Sequence, residues 1–256
     1  MNKGKQIALI TGAAKRIGRS IAIGLARAGW DVALHYRSSQ ADAENVAREI
    51  TQLGRRCLLL QADLSQVSSV ENLISRCAAE LGAPTCLVNN ASSFDFDDIF
   101  SVTPNTWDAM QAINLRAPLF LAKHFAEALP PGFEGNIINL LDQKIANLNP
   151  DFFSYTIAKI GLEGATRTLA MALAPRIRVN AVAPGLTLLS GDQTPDNFAA
   201  AQRMTPLGYA GNMDDIVAAT LFLLQTKSIT GQTIFIDGGQ RFFAMDRDVM
   251  FKVRTQ

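Results

Sequence analysis

The opening of the chain admits few folds. Ile7-Ala8-Leu9-Ile10 is an apolar run of strand length, and Thr11 to Gly18 is a glycine-bounded turn. Ser20 to Ala28 has the spacing of an amphipathic helix closed by Gly29, and Asp31 to Tyr36 is a second apolar run. Strand, turn, helix and strand in that order form a βαβ unit, whose two strands lie parallel in one sheet. The alternation continues. Strands are expected at Cys57 to Gln61, Thr85 to Asn89, Asn136 to Leu141, Arg178 to Val182 and Thr233 to Ile236. Helical spacing occupies Gln40 to Leu53, Val67 to Leu81, Thr103 to Leu129, Phe153 to Leu173 and Met213 to Leu224. This pattern predicts an α/β fold with a doubly wound sheet, seven mostly parallel strands flanked by helices. No linker, repeat or low-complexity segment divides it, so residues 1–256 are read as a single domain.

At 48% hydrophobic and 18% charged residues, the chain can bury one large core and lacks the signature of disorder. A net charge of +1 supplies no field for nucleic acid or an acidic membrane, so any phosphate binding must be local. Cys57, Cys77 and Cys86 are odd in number and show no ligand spacing, which argues against a disulfide framework and a metal site. The run Ile7 to Ile10 after Lys3 and Lys5 is too short for a signal peptide or a membrane span. A soluble, cytoplasmic protein is expected.

In doubly wound sheets, ligands bind beyond the carboxyl ends of the strands. Those ends here carry the glycine turn, Asn89-Asn90-Ala91, Asp142 and Pro184-Gly185, which should line one crevice. The first helical N–H groups after the turn and the positive end of the helix dipole make an anion site. Tyr155 and Lys159 are one helical turn apart and share a face. A phenol has a pKa of roughly 10, and a nearby ammonium favours its anion, so Lys159 is expected to lower the pKa of Tyr155. Asp142 leaves the strand beside this proton donor.

Taken in order, several motifs resemble the short-chain dehydrogenase/reductase family over nearly the whole chain. They are Thr11 to Gly18, Asp63, Asn89-Asn90-Ala91, Asn114, the Tyr155/Lys159 pair, Pro184-Gly185 and Asp237-Gly238-Gly239. The resemblance implies a single-domain Rossmann-type fold and hydride transfer with a nicotinamide cofactor. Tyr155 would donate the proton, Lys159 would hold the nicotinamide ribose, and Asn114 would anchor a water behind the lysine. By the same match Gly12, Ile17 and Gly18 would cradle the pyrophosphate. Asp63 and Leu64 would meet the adenine, Asn90 and Ala91 the cofactor ribose region, and Pro184 to Thr187, through Gly185 and Leu186, the carboxamide.

The turn departs from the family's usual T-G-x-x-x-G-x-G, because Arg16 replaces the middle glycine and Lys15 precedes it. Two cations beside a pyrophosphate suit extra negative charge. The second strand ends His35-Tyr36-Arg37-Ser38, with no carboxylate to accept from a ribose hydroxyl. NADPH is therefore the expected cofactor, with Arg37 and Ser38 at its 2′-phosphate. Lys15 is open between phosphate contact and a solvated loop charge, and His35 between cofactor contact and packing.

Most of that family carries serine where Asp142 stands. An ionised carboxylate only accepts, and would repel the oxygen on which charge develops in ketone reduction. It suits ring N–H donors or a C=N bond whose nitrogen gains a proton. Gly12-Ala13-Ala14-Lys15-Arg16, His35-Tyr36, Asn90 to Phe94, Asp142 with Tyr155 and Lys159, and Pro184-Gly185-Leu186 together look like the pteridine reductase branch. That resemblance implies NADPH-dependent reduction of pterins, with dihydrofolate as a further candidate. Phe94 would sandwich the pterin against the nicotinamide. Arg16 would serve both cofactor phosphate and substrate, Ser92 would contact pterin or pyrophosphate, and Leu188 would border the substrate. A ketoreductase acting on a 3-oxoacyl thioester stays open as the alternative. Leu188 to Asn212 is read as a substrate lid, Arg241 to Gln256 as an extension at a subunit interface, and a homotetramer is implied by resemblance alone. Met110, Met171, Met204 and Met213 are expected as core or lid filler, and His124 as a packed histidine. Phe152 and Phe153 receive no role.

Overall fold

The computed structural model of the chain describes residues 6–189 and 194–252. Seven strands form one sheet in the order β3-β2-β1-β4-β5-β6-β7. They are β1 (Ile7–Ile10), β2 (Asp31–Tyr36), β3 (Cys57–Gln61), β4 (Cys86–Asn89), β5 (Gly135–Leu140), β6 (Ile177–Pro184) and β7 (Thr233–Ile236). Every neighbouring pair is parallel, with Leu9 opposite Ala33 on one side and Leu87 on the other. The sheet is thus wholly parallel. Alternation along β1 explains why it is central: Ala8 and Ile10 enter one core, Ile7 and Leu9 the other, and all four are buried.

The helices α1 (Arg16–Arg27), α2 (Gln40–Gln52) and α8 (Met213–Gln225) cover the first face. The second is covered by α3 (Val67–Glu80), α5 (Ala117–Ala128) and α6 (Phe153–Leu173). The short helices α4 (Pro104–Gln111), α7 (Pro195–Arg203) and α9 (Val249–Lys252) sit outside these layers. Among the described residues, no helix is long and apolar enough to cross a membrane. The strand order reverses between β1 and β4, which opens a crevice at their carboxyl ends.

Three boundaries differ from expectation in ways that matter to the site. Helix α1 begins at Arg16, four residues before the apolar periodicity does, because the polar part of the turn is already helical. Strand β6 runs on to Pro184, placing Gly185 directly at its end. The stretch Thr103 to Leu129 is not one helix. It breaks into α4, a wide π turn at Ala112–Arg116, and α5. Pro118 has no N–H to give the carbonyl of Asn114, and its ring crowds that carbonyl, so the regular ladder cannot pass there.

Met110 is buried as expected, whereas Met171 is 75% exposed on α6 and fills no core; Met204, 43% exposed, ends α7 within the expected lid. His124 is partly buried and faces Glu127 from Nδ1 at 3.1 Å. Part of the expected lid, residues 190–193, and residues 253–256 of the extension lie outside the described residues.

Candidate active site

The crevice encloses about 620 Å³ and runs from the glycine turn past Asp142 and Tyr155 to Pro184, Gly185, Leu186, Thr187 and Leu188. That volume is in the range of cofactor and ligand clefts. Gly12 sits at φ 63°, and a Cβ on Gly18 would fall 2.4 Å from the Gly12 carbonyl, so both positions require glycine. Lys15 precedes α1 in extended conformation without a side-chain cap, and no acidic residue occupies the first turn. By contrast, α4 and α8 carry full capping boxes. The free N–H groups of α1 therefore fit a pyrophosphate.

Arg16 holds φ 53°, in the left-handed region, where glycine would meet no strain. Its guanidinium reaches across the crevice mouth to donate to the Leu189 carbonyl at 2.9 Å. Lys15 instead turns outward to Asp42 at 3.0 Å, with both side chains half-exposed. His35 Nδ1 accepts from the Gly12 N–H at 3.0 Å, and Nε2 lies 3.1 Å from the Ala62 carbonyl. Both ring nitrogens thus brace the turn and the exit of β3, at the wall of the crevice. Desolvation pushes its pKa down to about 4, so the ring is neutral. Tyr36 is buried at the end of β2, while Arg37 and Ser38 are exposed at the crevice edge. No carboxylate stands at that strand end. Asp63 borders the next strand end and accepts from the Ser65 N–H at 2.9 Å; this bond, helped by Arg37, holds its carboxyl below the usual value.

The loop after β4 is tied to the turn by hydrogen bonds. Asn90 Nδ2 donates to the carbonyls of Thr11 at 2.8 Å and Gly12 at 3.1 Å, and the Ala91 N–H donates to Thr11 Oγ1 at 2.9 Å. Ser92 Oγ donates to Asn114 Oδ1 at 2.7 Å, and Asn114 Nδ2 donates to the Ser93 carbonyl at 2.9 Å. The π turn thereby fixes this loop through the Asn114 side chain.

At the centre, the Tyr155 hydroxyl donates to Asp142 Oδ2 at 2.9 Å, and the Lys144 N–H donates to Asp142 Oδ1 at 2.8 Å. Lys159 Nζ donates to the Leu140 carbonyl at 2.7 Å and lies 5.5 Å from the centre of the Tyr155 ring. The expectation that Lys159 lowers the tyrosine pKa is corrected by this geometry. Burial and then the Asp142 charge raise Tyr155 well above its ordinary value, because its hydroxyl faces a carboxylate. Desolvation also raises Asp142, against the opposing pull of the Lys144 N–H and Tyr155, and lowers Lys159 to about 8. The tyrosine hydroxyl thus directs its proton at the aspartate, in a pair whose charged forms are both disfavoured by burial.

Over this pair, the Phe94 ring stacks on Phe152 at 4.1 Å and 15° and meets Tyr155 edge-on at 4.7 Å. Phe152, for which the sequence suggested no role, precedes α6 at φ 56° and backs Phe94. Sequence reasoning also missed Gln143, Lys144, Gln240 and the stretch Asp248-Val249-Met250, all of which line the crevice. Gln240 was discoverable from its place after Asp237-Gly238-Gly239, since its Oε1 accepts from the Leu186 N–H at 3.3 Å. Of the described C-terminal extension, Asp248 to Met250 pack on this chain's own site, whereas Phe242 and Phe243 are exposed. Among the described residues no cluster of metal-ligating side chains occurs.

A family model described as enoyl-(acyl carrier protein) reductase matches residues 12–241. The 3-oxoacyl-(acyl-carrier-protein) reductase FabG of Staphylococcus epidermidis is 35% identical over 247 residues, covering 93% of this chain and 99% of that one. The FolM alternative dihydrofolate reductase 1 from Brucella suis, solved in complex with NADP, is 40% identical with a TM-score of 0.91, covering 97% of this chain and 99% of that one. The angucycline C-6 ketoreductase LanV, solved with bound NADP, is 31% identical with a TM-score of 0.84, covering 93% and 96%. With its glycine turn, its Tyr155/Lys159 pair and similarity extending over almost its full length, the chain belongs to the short-chain dehydrogenase/reductase family of oxidoreductases.

Proposed function

We propose that the chain is an NADPH-dependent pteridine reductase that reduces a dihydropterin, with dihydrofolate as a second substrate of the same ring. The observation that carries this reading is the hydrogen bond from Tyr155 to Asp142 at 2.9 Å. NADPH, when bound, supplies the hydride. The uncapped start of α1 would hold its pyrophosphate, Arg37 and Ser38 its 2′-phosphate, and Lys159 its nicotinamide ribose. A lysine near a pKa of about 8 is mostly charged at neutral pH, as that task requires.

The Tyr155–Asp142 pair would pass a proton to the ring nitrogen as electron density arrives there. Desolvation raises Asp142 above its ordinary value, which eases its taking up a proton during the transfer. Phe94 offers a flat apolar face for the ring, and Arg16 lies where it can meet both cofactor phosphate and substrate. The likeness to FolM structures holding NADP supports cofactor and substrate class together.

The second reading, a ketoreductase, is favoured by the FabG relatives and by LanV. Purified protein incubated with dihydrobiopterin, dihydromonapterin or dihydrofolate should consume NADPH faster than NADH. Asp142→Ser should then lose at least about tenfold in kcat on pterins, the scale of one transition-state hydrogen bond. Ketone reduction that survives or improves in Asp142→Ser, with no pterin turnover by the wild type, would establish the second reading instead.

A further inference from the structure

The C-terminal segment folds back over the substrate end of the crevice. Arg247 Nε donates to both carboxylate oxygens of Asp151, at 2.9 and 3.0 Å, and the Asp248 N–H donates to Asp151 Oδ2 at 2.7 Å. Phe251 stacks on Phe152 at 6.1 Å and meets Phe96 edge-on at 5.4 Å. Met250 and Phe251 pack on the small cluster of Met110, Phe152 and Tyr155, so the segment touches the proton-donor helix directly. Helix α9 also contacts α7 within the expected lid.

Lys144 joins this segment to the chemistry. Its ammonium is 2% exposed and donates to Asn149 Oδ1 and Asp248 Oδ2, each at 2.7 Å. Its backbone N–H holds Asp142 Oδ1. A buried ammonium left without its carboxylate is strongly disfavoured, so departure of Asp248 would strand a charge beside the site. The segment is therefore held closed from within the crevice wall.

We propose that residues 247–251 are the substrate-side wall of the crevice, that Met250 selects among ring substituents, and that Lys144 is the positioning residue setting this wall against Asp142. The proposal rests on the pterin reading only for the identity of the ligand. The glycine turn and the 2′-phosphate edge lie at the other end, so the wall serves substrate and not cofactor.

The test compares wild type with Lys144→Met, Asp248→Asn and Met250→Ala, measuring NADPH affinity by fluorescence, kcat and KM, and hydrogen exchange at residues 248–251. Lys144→Met and Asp248→Asn should raise KM for a dihydropterin about tenfold and keep kcat within about twofold, the pattern of lost uniform binding. Their NADPH affinity should hold, and exchange at 248–251 should accelerate. Met250→Ala should change the ratio of kcat/KM between a short-chain dihydropterin and dihydrofolate by at least about threefold, whereas Lys144→Met moves both substrates together. A fall in Tm with KM unchanged, or NADPH affinity falling in parallel with KM, would overturn the proposal. A wild type that turns over no pterin overturns only the pterin reading. The same variants are then read on a 3-oxoacyl thioester, where an unchanged KM again defeats the wall.

Discussion

Arg16 shows how a single residue at the crevice can be costly to the fold. An L-residue in the left-handed region loses about 1–2 kcal/mol relative to the right-handed one, and glycine escapes this. Glycine in turn loses more chain entropy on folding, by about 0.5–1 kcal/mol, which the relief of strain exceeds. Arg16→Gly is therefore expected to hold or raise Tm while weakening NADPH binding, measured by thermal unfolding and fluorescence titration. A Tm drop of several degrees would show instead that the bond to Leu189 stabilises the fold. His35 carries a different signature. Its folded pKa of about 4 lies below the ordinary 6.5, so its contribution is complete above about pH 6.5 and is lost as pH falls through about 4. A shift of that size corresponds to about 3 kcal/mol. In His35→Gln, denaturant unfolding should therefore lose about one proton's worth of slope between those pH values. An unaltered slope would mean that His35 is not held neutral.

At the scale of elements, what was legible followed the local signals. The bounds of β1, β2, β3, β7 and α6 coincide with their apolar periodicities, since buried faces dictate those spacings. The π turn at Ala112–Arg116 was not legible, because buried Met110, Ala117 and Leu121 keep helical spacing across it while the backbone widens. Pro118 was the available signal. Pro118→Ala restores a donor for the Asn114 carbonyl and removes a residue costing about 3 kcal/mol inside a helix. The turn should then relax toward regular helix and draw Asn114 away from Ser92 and Ser93. The expected outcome is a Tm held or raised and a lower kcat, with NADPH affinity unchanged; an unchanged kcat would show that the wide turn does nothing for the site. The C-terminal wall escaped sequence reading for another reason. Its residues have no period of their own, and only the fold brings Asp248 to Lys144.

For the whole molecule, the same limit applies to electrostatics. A Tyr and a Lys one turn apart were readable, but which atom each faces was not. Burial, and then Asp142 from another element, reversed the expected shift of Tyr155. Surface chemistry raises a last question of assembly. On the outer side of the layer formed by α5 and α6, Phe120 is 47% exposed, Ile157 38%, Ile160 36% and Met171 75%. Single exposed apolar residues are ordinary, but several on two packed helices mark a contact face. Phe222, 49% exposed on α8, and Phe242, 72% exposed beyond β7, lie on a different side. Two separate faces, each pairing with its own copy, would build a tetramer with dihedral symmetry, whereas one would build only a dimer. The chain is accordingly expected to sediment as a homotetramer, with Ile160→Glu and Phe120→Glu yielding dimers through the remaining face. Charge placed at the first face disrupts it because an unpaired carboxylate cannot be buried there without large cost. Light scattering that gives a monomer for the wild type would remove the assembly.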